Sequence, residues 1–214
     1  MLGVPDADRR FTPQLVNTLQ PGHPDFNYLE LASLRTLQLG GVATAPVLVV
    51  PAAAEERFYR LNNLVPQLEA LFKNVDPADP DEDDLEEFAP DALALFKTHF
   101  LLDEFIDVFY DALHVLPPDV RVRRPGRAGV KSARGRPALV ALKDTWAADW
   151  SFEALEARLE RTRSFTLEAR PVLLGPATET PAVPDVTARV AELVQRPAQV
   201  WTSDLGVSRL SFED

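Results

Sequence analysis

The chain has 214 residues, 46% hydrophobic and 26% charged, a balance that excludes a disordered polar segment and predicts an ordinary packed interior. It contains no cysteine, which excludes disulfides, thiolate metal sites, iron–sulfur clusters and cysteine nucleophiles. A net charge of −11 excludes a surface that is basic throughout, so any nucleic-acid contact must be confined to a local basic patch.

Met1-Leu2-Gly3-Val4-Pro5-Asp6 lacks the basic start and apolar run of a secretory leader, and no stretch has eighteen unbroken apolar residues. A soluble, cytoplasmic protein without membrane contact is expected. Thr12-Pro13 reads as an N-cap and first helical residue, which predicts a short helix over 13–20 ended by Pro21-Gly22. Partial alternation over 28–39, followed by Gly40-Gly41, favours a strand. The apolar run 47–50 reads as a buried strand. Residues 52–74 carry Phe58, Leu61, Leu64, Leu68 and Leu71 at helical spacing, with Pro66 expected to kink or split the helix.

After an acidic, proline-punctuated loop over 76–84, residues 85–116 hold the longest apolar content. Pro90 is expected to open a fresh helix there, with the stretch 93–116 central to the core and Leu102, Phe105, Ile106 and Phe109 buried. Val120-Arg121-Val122 and residues 138–142 read as two strands that bracket a glycine-rich basic loop. Ser151 reads as the N-cap of a helix ending near Arg163. A strand over 165–174, a linker over 176–184, a helix over 185–195 and a hairpin about Asp204-Leu205-Gly206 complete the chain. The expected fold is a single α/β or α+β domain over 1–214, a mixed sheet with helices packed around a central apolar helix.

The sharpest chemical feature is the run Arg121, Arg123, Arg124, Arg127, Lys131, Arg134 and Arg136, which contains three glycines and no acid. Such a segment predicts a mobile hairpin tip or disordered loop over about 121–137 that grips an anionic partner, nucleic acid or an acidic protein surface, without chemistry of its own. Few aromatic residues interleave with it, so a base-stacking platform is not indicated. The competing reading is a solvated loop, or a counter-charge for the protein's own acidic stretch from Asp76 to Asp91. That stretch lacks the central glycine and ligand alternation of a calcium loop.

Asp103, Asp107 and Asp111 stand four apart on one predicted helix face and repel one another unless water or a cation intervenes. The pair Asp84-x-x-Glu87 followed by Glu104-x-x-Asp107 is similar in spacing to the paired acidic motifs of the MazG-like nucleotide pyrophosphohydrolases. That resemblance covers about residues 82–115. It implies helices facing each other with Asp84, Glu87, Glu104 and Asp107 holding magnesium or manganese on a nucleoside triphosphate; the family has glutamate where this chain has Asp84. His23, His99 and His114 form no local metal pattern, and no Gly-x-Ser-x-Gly, Walker or dinucleotide glycine motif occurs. Trp146 and Trp150, four apart, read as core or, if exposed, as an interface anchor.

Overall fold

Val47 and Val49 alternate with Leu48 and Val50, and Val120 and Val122 alternate with Arg121 and Arg123. Strands of this kind present different side chains to each face of a sheet. In the computed structural model, which describes residues 10–166 and 169–212, they form a five-stranded antiparallel sheet. Its strands are β1 (Gln14–Leu15), β2 (Leu48–Val50), β3 (Asp119–Arg123), β4 (Val130–Ala133) and β5 (Val172–Pro176), in the order β1-β2-β5-β3-β4. A smaller antiparallel sheet contains β6 (Thr180–Pro181), β7 (Gln199–Ser203) and β8 (Gly206–Ser211).

Eight α-helices lie among the described residues. They are α1 (Leu29–Leu39), α2 (Ala52–Leu61), α3 (Leu64–Leu71), α4 (Glu82–Thr98), α5 (Asp103–Leu113), α6 (Arg136–Ala147), α7 (Phe152–Thr162) and α8 (Pro184–Val194). One face of the large sheet, through Leu48, Val50, Val120, Val122, Val172 and Leu174, packs on helices α2 to α7. The other, through Val47, Val49 and Leu173, packs on α1, α8 and the small sheet. Burying each such side chain contributes about 1.5–3 kcal/mol before entropy is counted. No helix among the described residues is long and apolar enough to cross a membrane.

The mixed α/β class holds, while several elements differ from their sequence-based assignment. The stretch read as a strand over 28–39 is helix α1, because Leu31, Leu34 and Leu37 recur at a spacing of three and are fully buried. The short helix expected over 13–20 is replaced by β1 and a 3₁₀ turn (Val16–Thr18), since pairing with the edge of β2 overrides the local signal. Pro90 lies inside α4 at an exposed position and does not break it; the apolar stretch 93–116 divides instead at 99–102. At the centre of the helical layer, α4 packs against α3, α6 and α7.

Residues 138–142 belong to α6, opened by Gly135 and Pro137, with Ala138, Leu142 and Trp146 buried at helical spacing. The N-terminal residues read for a leader lie outside the described residues. So do Leu167 and Glu168 within the stretch read as a strand over 165–174, where the described strand begins at Val172.

Candidate basic cleft

The arginine run is a β-hairpin followed by the start of α6: of the two expected forms, a hairpin tip or a disordered loop, the hairpin is present, and its second strand is β4 rather than residues 138–142. β3 and β4 pair from Asp119 opposite Ala133 to Val122 opposite Val130. The tip depends on glycine: Gly129 has φ +67°, and a Cβ there would overlap the Val122 carbonyl oxygen and the Arg123 side chain.

Strand periodicity sends Arg121 and Arg123 to the side opposite Val120 and Val122. There Arg121 Nε lies 3.3 Å from Glu179 Oε1, and Arg123 Nη1 donates to Glu30 Oε2 at 2.5 Å. Glu30 also accepts from the Gly126 and Leu210 amides at 2.7 and 2.9 Å, tying α1 to the hairpin tip and to β8. Arg124 donates through both terminal nitrogens to Glu55, at 2.9 and 2.8 Å, and to Asp149 Oδ2 at 2.5 Å.

Arg123 and Arg124 are therefore buried counter-charges, and Arg121 is a largely buried one; none is a free anion-binding group. The physical reason is that a planar guanidinium fork satisfies a buried carboxylate better than any other side chain. Among the described residues no ion pair links the run to the acidic stretch 76–91. The partners are isolated acids elsewhere in the chain. Arg134 caps the Leu116 carbonyl at 2.8 Å, while Arg127, Lys131 and Arg136 are exposed and form no ion pair among the described residues.

The buried cluster extends beyond Arg124. Fully buried Glu55 also accepts from the Tyr59 hydroxyl at 2.5 Å and the Arg170 amide at 2.9 Å, and Asp149 is further bonded by the Arg170 guanidinium. Burial opposes the charge on Arg124, but the Glu55 and Asp149 carboxylates outweigh it and hold the pKa above the ordinary arginine range. Burial, then the adjacent Glu55 carboxylate, pushes the Tyr59 hydroxyl well above its usual value of 10.0.

Because this raised value stabilises the protonated native form, the contribution of Tyr59 is complete below about pH 10 and is lost as pH rises from there through the native pKa. Alkaline denaturation is expected to be less steep above about pH 10 in Tyr59→Phe than in the parent. Identical profiles would contradict the Tyr59–Glu55 geometry.

Against this cluster opens a cleft of about 630 Å³. Among the described residues its lining includes Arg124, Arg127, Arg158, Arg161 and Arg170, against one acid, Asp149. Local sequence signals place the α7 pair. The Ser151 hydroxyl oxygen accepts from the Ala154 amide at 3.3 Å and starts the helix, and Arg158 and Arg161, three apart, then lie on neighbouring positions of one face. Arg163, left-handed at φ 51°, ends the helix and turns the chain into residues 164–166 at the cleft. Arg158 is fixed over the Trp150 ring at 4.6 Å and donates to the Phe165 carbonyl at 3.1 Å and to the Asp149 carbonyl.

No family model and no curated protein matches this chain.

The acidic pairs do not form a metal centre. Asp84 and Glu87 lie on α4, Glu104 and Asp107 on α5, and Glu87, Glu104 and Asp107 are exposed. Among the described residues no three histidine, aspartate or glutamate side chains are grouped to hold a metal ion. The four carboxylates expected from the MazG-like spacing to hold magnesium or manganese are therefore not grouped as a ligand set; the spacing places acids along two helices, with Glu87, Glu104 and Asp107 facing solvent. Trp146 and Trp150 are core residues, packed with Phe58, Phe72 and Phe96 rather than exposed for a partner. Arg158, Arg161 and Arg170 stand in no sequence motif that marks them as a site. The one local signal for them was the density of arginine between 158 and 170, which belongs to three different structural contexts.

Proposed function

We propose that this protein docks an anionic partner through the basic cleft and the hairpin tip beside it, with no chemical step of its own. The supporting observation is the composition of the cleft, five arginines against Asp149 among the described residues. Arg124 and Arg170 are occupied by Asp149 and Glu55, whereas Arg127, Arg158 and Arg161 have no ion pair among the described residues. Arg127 joins the cleft to Lys131 and Arg136 on the hairpin and the helix that follows. The partner that fits is a polyanion: a nucleic-acid backbone, with an acidic protein surface as the alternative that the experiment separates. The chain's overall charge of −11 repels either partner away from this patch, so binding is expected to be localised and strongly salt-dependent.

Fluorescence anisotropy with a labelled single-stranded oligonucleotide and a labelled poly-glutamate peptide, at low ionic strength, tests the reading. Oligonucleotide binding should weaken steadily with added salt and fall by about tenfold or more when Arg127, Lys131 and Arg161 are replaced together by alanine. Preferential binding of the peptide would move the assignment to an acidic protein. Binding of neither ligand would overturn the proposal.

A further inference from the structure

We infer that the cleft is a binding site for a small phosphomonoester, its phosphate held among Arg127, Arg158 and Arg161. This rests on the docking reading and names the chemical group the cleft itself selects. Charge is the first argument. Among the described residues, five arginines face Asp149 in the lining and Glu55 directly behind it, which leaves a surplus of positive charge that a single carboxylate would not balance and a phosphate dianion nearly would.

Donor geometry is the second. Arg158 is locked by its carbonyl partners and by Trp150, so part of the site is pre-organised before a ligand enters. The Ser164 and Thr166 hydroxyls, bonded to each other at 3.0 Å, add neutral polar groups to the same lining. Burial pushes the Arg158 guanidinium down from the ordinary arginine range and Asp149 offsets this only in part, the state of a cation short of counter-charge.

Size is the third argument. About 630 Å³ exceeds what a bare phosphate fills and falls within the usual range for small-molecule sites. Tyr28, Pro125, Ala154 and Ala157 supply less polar wall for the organic part of such a ligand. Among the described residues the lining contains no histidine, and arginine stays charged at all ordinary pH values. Any pH dependence of binding near neutrality is therefore expected to come from the second ionisation of the ligand's phosphate, near pH 6.

Isothermal titration calorimetry with phenyl phosphate at constant ionic strength tests this, with benzoate as the carboxylate control and inorganic phosphate to separate the contribution of the ring. Saturable binding of phenyl phosphate is expected, tighter than of benzoate and weakening below about pH 6. Arg127→Ala and Arg161→Ala, both at exposed positions, should each weaken it by about tenfold.

Equal affinity for benzoate, no saturable binding at millimolar phenyl phosphate, or binding unaffected by both substitutions would overturn the inference. The oligonucleotide titration on the same preparation separates the two readings. If the oligonucleotide binds and phenyl phosphate does not, docking stands and the phosphomonoester site falls. If phenyl phosphate alone binds, in the pattern expected, the site stands and polyanion docking falls.

Discussion

Replacing Arg124 by alanine is expected to lower the folding stability by about 3–5 kcal/mol, the range for removing one partner of a buried ion pair. Glu55 is fully buried and loses two charge-assisted hydrogen bonds, while Asp149 loses one of its two guanidinium partners. Adding Glu55→Gln to the alanine variant should recover part of the loss, because the stranded charge is then removed. Arg124→Lys should rescue little, since an ammonium group cannot reproduce the two-pronged contact. Urea denaturation measures all three. A loss below about 1 kcal/mol for Arg124→Ala would place the side chain at the surface and contradict the buried cluster.

The second large effect belongs to the helical layer. Phe109 is fully buried on α5 and stacks with Phe105 at 6.0 Å between ring centroids, so Phe109→Ala should cost about 3–5 kcal/mol through lost burial and the cavity left behind. Phe105 is half-buried and Phe105→Ala should cost distinctly less. Equal losses in the two variants, measured in the same denaturant series, would contradict the one-sided packing of α5. Leu102, placed in the core by sequence spacing, is exposed at the start of that helix, as expected where an amphipathic helix begins at a chain bend.

Where the sequence carried a local stereochemical signal, the fold was legible. Ser151 begins α7 as its N-cap, β2 follows from an uninterrupted apolar run, and the turn at Gly206 joins β7 to β8. The stretch 52–74 does divide into two helices. The join falls at Asn62-Asn63, and Pro66 is accommodated in the first turn of α3, where its missing amide proton costs nothing. Helix α1 resembles a strand in sequence because its five leucines include an alternating subset, Leu29, Leu31, Leu37 and Leu39, while the burial is carried by Leu31, Leu34 and Leu37.

The arginine run was legible as a feature and not as an architecture. Its charge suggested solvent, yet the Val-Arg alternation of β3 makes Arg121 and Arg123 one face of a half-buried strand. Their acidic partners lie too far along the chain for any window to reveal: Glu30 is 93 residues from Arg123, and Glu55 is 69 from Arg124. The cleft was invisible for the same reason, since its lining runs from Tyr28 through the hairpin tip to Arg170.

Amide chemical-shift mapping of the isotope-labelled protein, titrated with the oligonucleotide at low salt, tests most directly whether the basic cleft is where an anionic partner docks. The expected perturbations centre on Arg127, Arg161, Ser164 and Thr166 and spread to Lys131 and Arg136. Shifts concentrated instead around exposed Phe100 and Leu102, with the cleft residues unmoved, would contradict the assignment.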